Sequence, residues 1–155
     1  MTPELFAQMM AAVTSKLSGR KLDAGLADFL KSEFPASGSA FQDIMDACQE
    51  AIAAGWMCAR EAGGIRYGRV VKPSPLTLGY SVDVVDMEDV VGPYHRHPQG
   101  EIDMIMPTAG DAKFDGHGRG WLVYPEGSAH RPTVSGGRAL VLYLLPEGAI
   151  DFSKP

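Results

Sequence analysis

The sequence predicts a mainly β protein, an antiparallel sandwich or barrel, preceded by a helical N-terminal segment of about three helices. Helical spacing of apolar residues is confined to the first third of the chain. After Pro73 and Pro75 the character changes to short runs rich in β-branched and aromatic residues, broken at close intervals by Gly, Pro and Asp. Many short strands with regular turn signals point to a closed or sandwiched antiparallel sheet. At 155 residues the chain suits one folded unit, divided into a helical segment with a possible hairpin at 1–72 and a barrel at 73–155.

Each element has a local reason. Leu5, Met9, Ala12 and Val13 recur at three- and four-residue steps, with Pro3 at a helix start and Gly19 at its end. A second helix over 22–34 is closed by Pro35. A third over 40–54 is entered through Ser37-Gly38-Ser39 and ended by Gly55. Residues 56–61 and 65–71, joined across Ala62-Gly63-Gly64, read as a hairpin, giving this segment a winged-helix outline, with a use as a barrel cap or a dimer contact. Further strands are expected at 78–86, 92–97, 102–107, 112–114, 120–123, 131–133 and 139–145.

Composition limits the function. Hydrophobic residues make up 45% and charged residues 21%, a globular balance. The formal net charge of -5 repels nucleic-acid phosphates, and no Lys/Arg run reverses it locally. The opening MTPELFAQ has no basic, apolar leader pattern, and no apolar run is long enough to span a membrane, so a cytoplasmic protein without membrane partners is expected. Cys48 and Cys58 are read as reduced, packed thiols.

The chemistry is concentrated in 92–101, where His95 and His97 stand two apart and Glu101 follows four later. On a strand, alternate side chains share a face, so the two imidazoles project together about 6 to 7 Å apart at their bases. The link Pro98-Gln99-Gly100 permits a turn that brings Glu101 into the next strand of one hairpin, facing the same interior. His130, delivered by the turn in Pro125-Glu126-Gly127, supplies a fourth group. Three imidazoles and a carboxylate suit one borderline divalent ion, and iron(II), manganese(II), zinc and nickel all stay open.

The order HxH-x3-E followed by PxGxxH resembles the two motifs of the cupin superfamily, which implies a small cupin barrel binding metal through His95, His97, Glu101 and His130. Three positions depart from that pattern. Asp89 replaces a glycine, the closing glycine falls late at Gly110, and Val134 replaces an asparagine, none of them a ligand. Residues 92–150, including GPYHRHPQGEIDMIMP, FDGHGRGWLVYPEGSAHRPTV and GGRALVLYLLPEG, resemble the 4-hydroxylaminobenzoate lyase family of bacterial nitroarene degradation. That resemblance implies conversion of 4-hydroxylaminobenzoate to 3,4-dihydroxybenzoate (protocatechuate) with release of ammonia. Similarity to cupins also implies pairing as a homodimer.

With such a substrate, Asp103 shares strand parity with Glu101 and is a candidate to shuttle a proton. Arg131, Arg96, Arg138 and Lys113 are candidates for the substrate carboxylate, although strand alternation turns the neighbours of a ligand away from it. Tyr143, Tyr94 and Trp121 are candidates for an aromatic wall. Met104 and Met106, of opposite parity, are read as sheet packing, and His117 as a loop residue. A cupin dioxygenase acting on an aromatic or a thiol, and a ligand-binding cupin without catalysis, are the competing readings.

Overall fold

The computed structural model describes residues 1–153. Three helices lead the chain: α1 (Pro3–Thr14), α2 (Ala24–Glu33) and α3 (Ser39–Ala53). Their starts follow capping chemistry. Thr2 Oγ1 accepts from the Leu5 amide at 3.2 Å with Pro3 in the first turn, and Asp23 Oδ1 accepts from the Leu26 amide at 3.0 Å. None of the described helices is long and apolar enough to cross a membrane.

Eight strands follow: β1 (Arg60–Ala62), β2 (Ile65–Val71), β3 (Tyr80–Val91), β4 (His95–His97), β5 (Glu101–Phe114), β6 (Gly120–Tyr124), β7 (Ser128–His130) and β8 (Thr133–Pro146). Six form an antiparallel sheet in the order β1-β2-β3-β8-β5-β6, and β4 pairs with β7 in a second, two-stranded sheet. A mainly β, antiparallel architecture behind three helices is the fold class anticipated from sequence. The β1–β2 hairpin, grouped with the helices on sequence grounds, pairs with β3 and forms an edge of the large sheet.

Strand lengths differ from the expectation. The segments 102–107 and 112–114 are one strand, because register shifts after Pro107 and after Gly110 absorb the two expected breaks as bulges. Gly110 stands at φ +68, and a Cβ there would meet Gly136 O at 2.6 Å, so the crossing of β5 and β8 requires glycine. The run 92–97 contributes only three strand residues, and β7 was not foreseen.

The sheet's two faces are sorted by parity. Val82, Val84, Ile102, Met104, Met106, Leu140, Leu142 and Leu144 pack with Phe6, Met10, Leu30 and Phe41 of the helices. Trp121, opposite Met104 in register, lies on this face as well, its indole N–H donating to Phe34 O at 2.8 Å. The expected packing role of Met104 and Met106 holds. The opposite parity, with Ile105, Val141, Tyr143 and Leu145, faces the barrel interior and carries Glu101 and Asp103 among its buried residues.

Candidate metal centre

The centre is built from both sheets. Register places His95 opposite His130 and His97 opposite Ser128 across the β4–β7 pair. Glu101 opens β5 in the large sheet, opposite Tyr124 of β6. The single hairpin expected to gather three ligands is therefore replaced by strands of two sheets meeting edge to edge. The turn between them closes with Gly100 N donating to His97 O at 3.2 Å. Gly100 holds φ +86, and a Cβ there would lie 2.7 Å from Leu22 Cδ2 and 2.8 Å from Tyr124 O.

One donor atom from each of His95, His97, Glu101 and His130 falls within 4.8 Å of the others. His97 Nε2 lies 3.2 Å from Glu101 Oε2, His95 Nε2 3.8 Å from Oε1, and His130 Nε2 3.7 Å from Oε2. His130 Nε2 and His95 Nε2 are 3.1 Å apart. Donors each about 2.1 Å from one ion stand roughly 3.0 to 3.4 Å from their neighbours, so the cluster is close to coordinating size.

Hydrogen bonds on the far side of each ring fix what faces inward. His97 Nδ1 is 2.9 Å from Ser128 Oγ, whose own proton goes to Pro125 O at 2.6 Å, so the ring nitrogen donates. His130 Nδ1 donates to Asp115 Oδ2 at 2.5 Å, and His95 Nδ1 to Pro93 O at 3.3 Å. With every Nδ1 protonated, three Nε2 lone pairs converge beside a carboxylate. His97 Nε2 and both Glu101 oxygens are buried without a hydrogen-bond partner. Lone pairs so gathered repel one another unless a cation lies between them, and the donor set therefore fits a divalent metal ion.

Electrostatics divides the two interior carboxylates. Burial raises the Glu101 carboxyl, but the adjoining His95 and His97 imidazoles outweigh it and hold the group below the usual carboxylate range. Asp103 is pushed well above the usual carboxylate range, first by burial and then by the negative charge of Glu101. Both Asp103 oxygens are buried without a partner. Asp115 is held below its ordinary value against the effect of burial, because it accepts from His130, from the Tyr124 hydroxyl at 2.5 Å and from Thr133 N at 2.9 Å.

The proposed substrate residues are scattered. Tyr143 is buried with its ring 6.4 Å from that of His95, on the same cross-strand row as Asp103. Arg96 points out and pairs with Asp151 at 3.1 Å, and Arg131 is exposed with its guanidinium 5.9 Å from the Tyr94 ring. Arg138 pairs with Asp86 at 2.6 Å and Lys113 with Asp111 at 3.2 Å. His117 is exposed in the loop after β5. Asp115, Ser128 and Tyr124 were missed. The usable signal was the general need of a ligating imidazole for an acceptor at its second nitrogen, which spacing alone does not locate.

A cavity of ≈ 680 Å³ adjoins the centre, lined by His95 and Tyr143, by Val85, Met87 and Ile150, and by the β1–β2 hairpin. Phe152 also lines it, its ring 5.4 Å from that of His95. The volume is that of a small-molecule site.

The family model described as PnbB, 4-hydroxylaminobenzoate lyase, matches residues 8–152. A 4-hydroxylaminobenzoate lyase of Nocardioides sp. (strain LMS-CY) is 27% identical over 97% of this chain and 95% of its own length. One from Pseudomonas putida is 26% identical over 89% of this chain and 88% of its own. Among solved structures, an RmlC-like cupin protein of Ralstonia eutropha JMP134 aligns with TM-score 0.41 and 13% identity, over 57% of this chain and 59% of the other.

Proposed function

The chain belongs to the 4-hydroxylaminobenzoate lyase family, and we propose that it converts 4-hydroxylaminobenzoate to 3,4-dihydroxybenzoate and ammonia with the help of one divalent metal ion. Such a reaction consumes the product of nitroarene reduction. The observation that carries the reading is the convergence of three Nε2 atoms and the unpartnered Glu101 carboxylate beside a cavity of small-molecule size.

The reaction balances without an external oxidant. Substrate plus one water equals the dihydroxy acid plus ammonia. The N–O bond takes up the two electrons that the ring gives when a C–H becomes a C–O, and water replaces nitrogen at the para carbon. A bound metal would supply Lewis acidity toward the hydroxylamine oxygen and a lowered pKa for a water molecule.

The remaining tasks belong to side chains. His95, His97, His130 and Glu101 hold the ion, their orientation fixed by Pro93 O, Ser128 and Asp115. Asp103, whose carboxyl burial and the charge of Glu101 push well above the usual carboxylate range, passes a proton toward the oxygen or nitrogen that departs. Tyr143 presents its ring to the cavity beside His95 and packs against the aromatic substrate. Burial of Glu101 and Asp103 at 0% exposure keeps bulk water from these groups.

The test is anaerobic turnover of 4-hydroxylaminobenzoate by metal-replete protein. Ammonia and 3,4-dihydroxybenzoate are expected in equal amounts with no gas consumed. Product formation only with stoichiometric oxygen uptake would replace this reading by the dioxygenase alternative.

A further inference from the structure

An aromatic acid in the cavity needs a cation for its carboxylate, and Arg96, Arg131, Arg138 and Lys113 are absent from the cavity's lining. The hairpin supplies others. Arg60 of β1, Arg69 of β2 and Lys72 just after it line the cavity, against Asp83 as the lining's acidic residue. A chain of net charge -5 thus gathers positive charge at this mouth.

Register puts Arg69 and Arg60 on the metal-facing side of the sheet. Arg69 is opposite Asp83, Asp83 opposite Tyr143, and Tyr143 opposite Asp103. The adjacent row on that face runs from Arg60 to Tyr67, Val85 and Val141. Arg60 therefore stands at the outer end of the surface whose inner part carries Tyr143 and, two residues before Asp103, Glu101. Val85, Met87, Tyr67, Ile150 and Phe152 give the space between them an apolar and aromatic lining.

The cations are not equally available. Arg69 Nε and Nη2 are taken by the two oxygens of Asp83 at 2.7 and 3.2 Å, and Nη2 also donates to Gly148 O at 3.2 Å. Lys72 offers a point charge without the planar fork that matches a carboxylate. Arg60 is exposed and makes no ion pair or side-chain hydrogen bond among the described residues.

We propose that Arg60 is the residue that selects aromatic monocarboxylates, receiving the carboxylate at the cavity's outer end while the para nitrogen group faces His95 and Tyr143. This rests on the lyase reading for the identity of the para group, and on the cavity alone for the acid. A bidentate guanidinium contact supplies both charge and direction, holding the ring lengthwise between hairpin and metal.

The test uses 4-aminobenzoate, which lacks the N–O bond and cannot turn over, and its neutral isostere 4-aminobenzamide, each titrated calorimetrically into metal-replete protein. Wild type is expected to favour the acid by roughly 10- to 100-fold, the range of a charged hydrogen-bonded contact. R60Q is expected to bind the two nearly equally, R60K to keep part of the preference, and the outward-facing R131Q to keep all of it. A preference that survives in R60Q, or that R131Q abolishes, overturns the assignment. An Arg60-dependent preference in a protein that releases no ammonia from 4-hydroxylaminobenzoate leaves the assignment standing and removes the lyase reading instead.

Discussion

The two faces of the six-stranded sheet are buried to a similar depth but bury different things. Toward the helices, Val84, Ile102, Met104 and Leu144 are each 0% exposed and pack within one apolar cluster. Toward the barrel, Glu101 and Asp103 are equally buried at 0%, yet their oxygens have no partner. A one-residue step along β5 thus exchanges a stabilising environment for a costly one. Burial alone does not tell structure from chemistry. The distinguishing feature is whether the buried atoms are satisfied within the chain, and on the interior face the Glu101 and Asp103 oxygens are not.

Variants on each face sharpen the contrast. His97→Ala is expected to abolish stoichiometric metal binding and to lower turnover by several orders of magnitude, while the far-ultraviolet circular dichroism stays that of wild type. It removes one of three imidazole donors but no helix-facing contact. Metal analysis after gel filtration reads the first effect, and retained metal with full activity would discard the site. Met104→Ala should do the reverse. It opens a cavity on the helix-facing side, beside Leu142 and Trp121 in register, and should cost about 2 to 5 kcal/mol in denaturant unfolding. Metal content per folded molecule is expected to be unchanged, and a variant that folds well but loses metal would show that the two faces are coupled.

Much of this contrast was legible in the sequence. The spacing of His95, His97 and Glu101, and the opposite parity of Met104, follow from the two-residue repeat of a strand, which survives any uncertainty about strand ends. Strand ends were less legible. Pro107 and Gly110 look like terminators, and only the partner strand β8 shows that the ladder continues past them with a shifted register. β7 has three residues, Ser128, Ala129 and His130, too few for a pattern. The same alternation that aligned the ligands turned Arg96 and Arg131, their immediate neighbours, outward. Arg60 stayed out of view because it lies 35 positions before His95 in the chain (95 minus 60) and reaches the cavity only through two successive strand pairings.

Asp115 tests how far the interior face extends beyond the ligands themselves. Its carboxylate does three things at once, accepting from His130 Nδ1 and Tyr124 Oη on one oxygen and from Thr133 N on the other. Asn in its place keeps the size but offers one acceptor oxygen instead of two, and removes the charge that strengthens the His130 contact. His130 would still present a nitrogen to the ion, only less firmly held and less basic. Asp115→Asn is therefore expected to weaken metal binding about 10- to 100-fold, well short of the loss in His97→Ala. Tyr124→Phe, which removes one donor to Asp115 but leaves the His130 bond in place, serves as the control and should change metal affinity far less. Competition with a chelator of known affinity measures both. If Asp115 served only to fasten β7 and the loop before it, the two variants would melt lower without metal and bind the ion as wild type once folded; a selective loss of affinity in Asp115→Asn, at a metal-free melting temperature close to that of Tyr124→Phe, identifies it as the residue that aims His130.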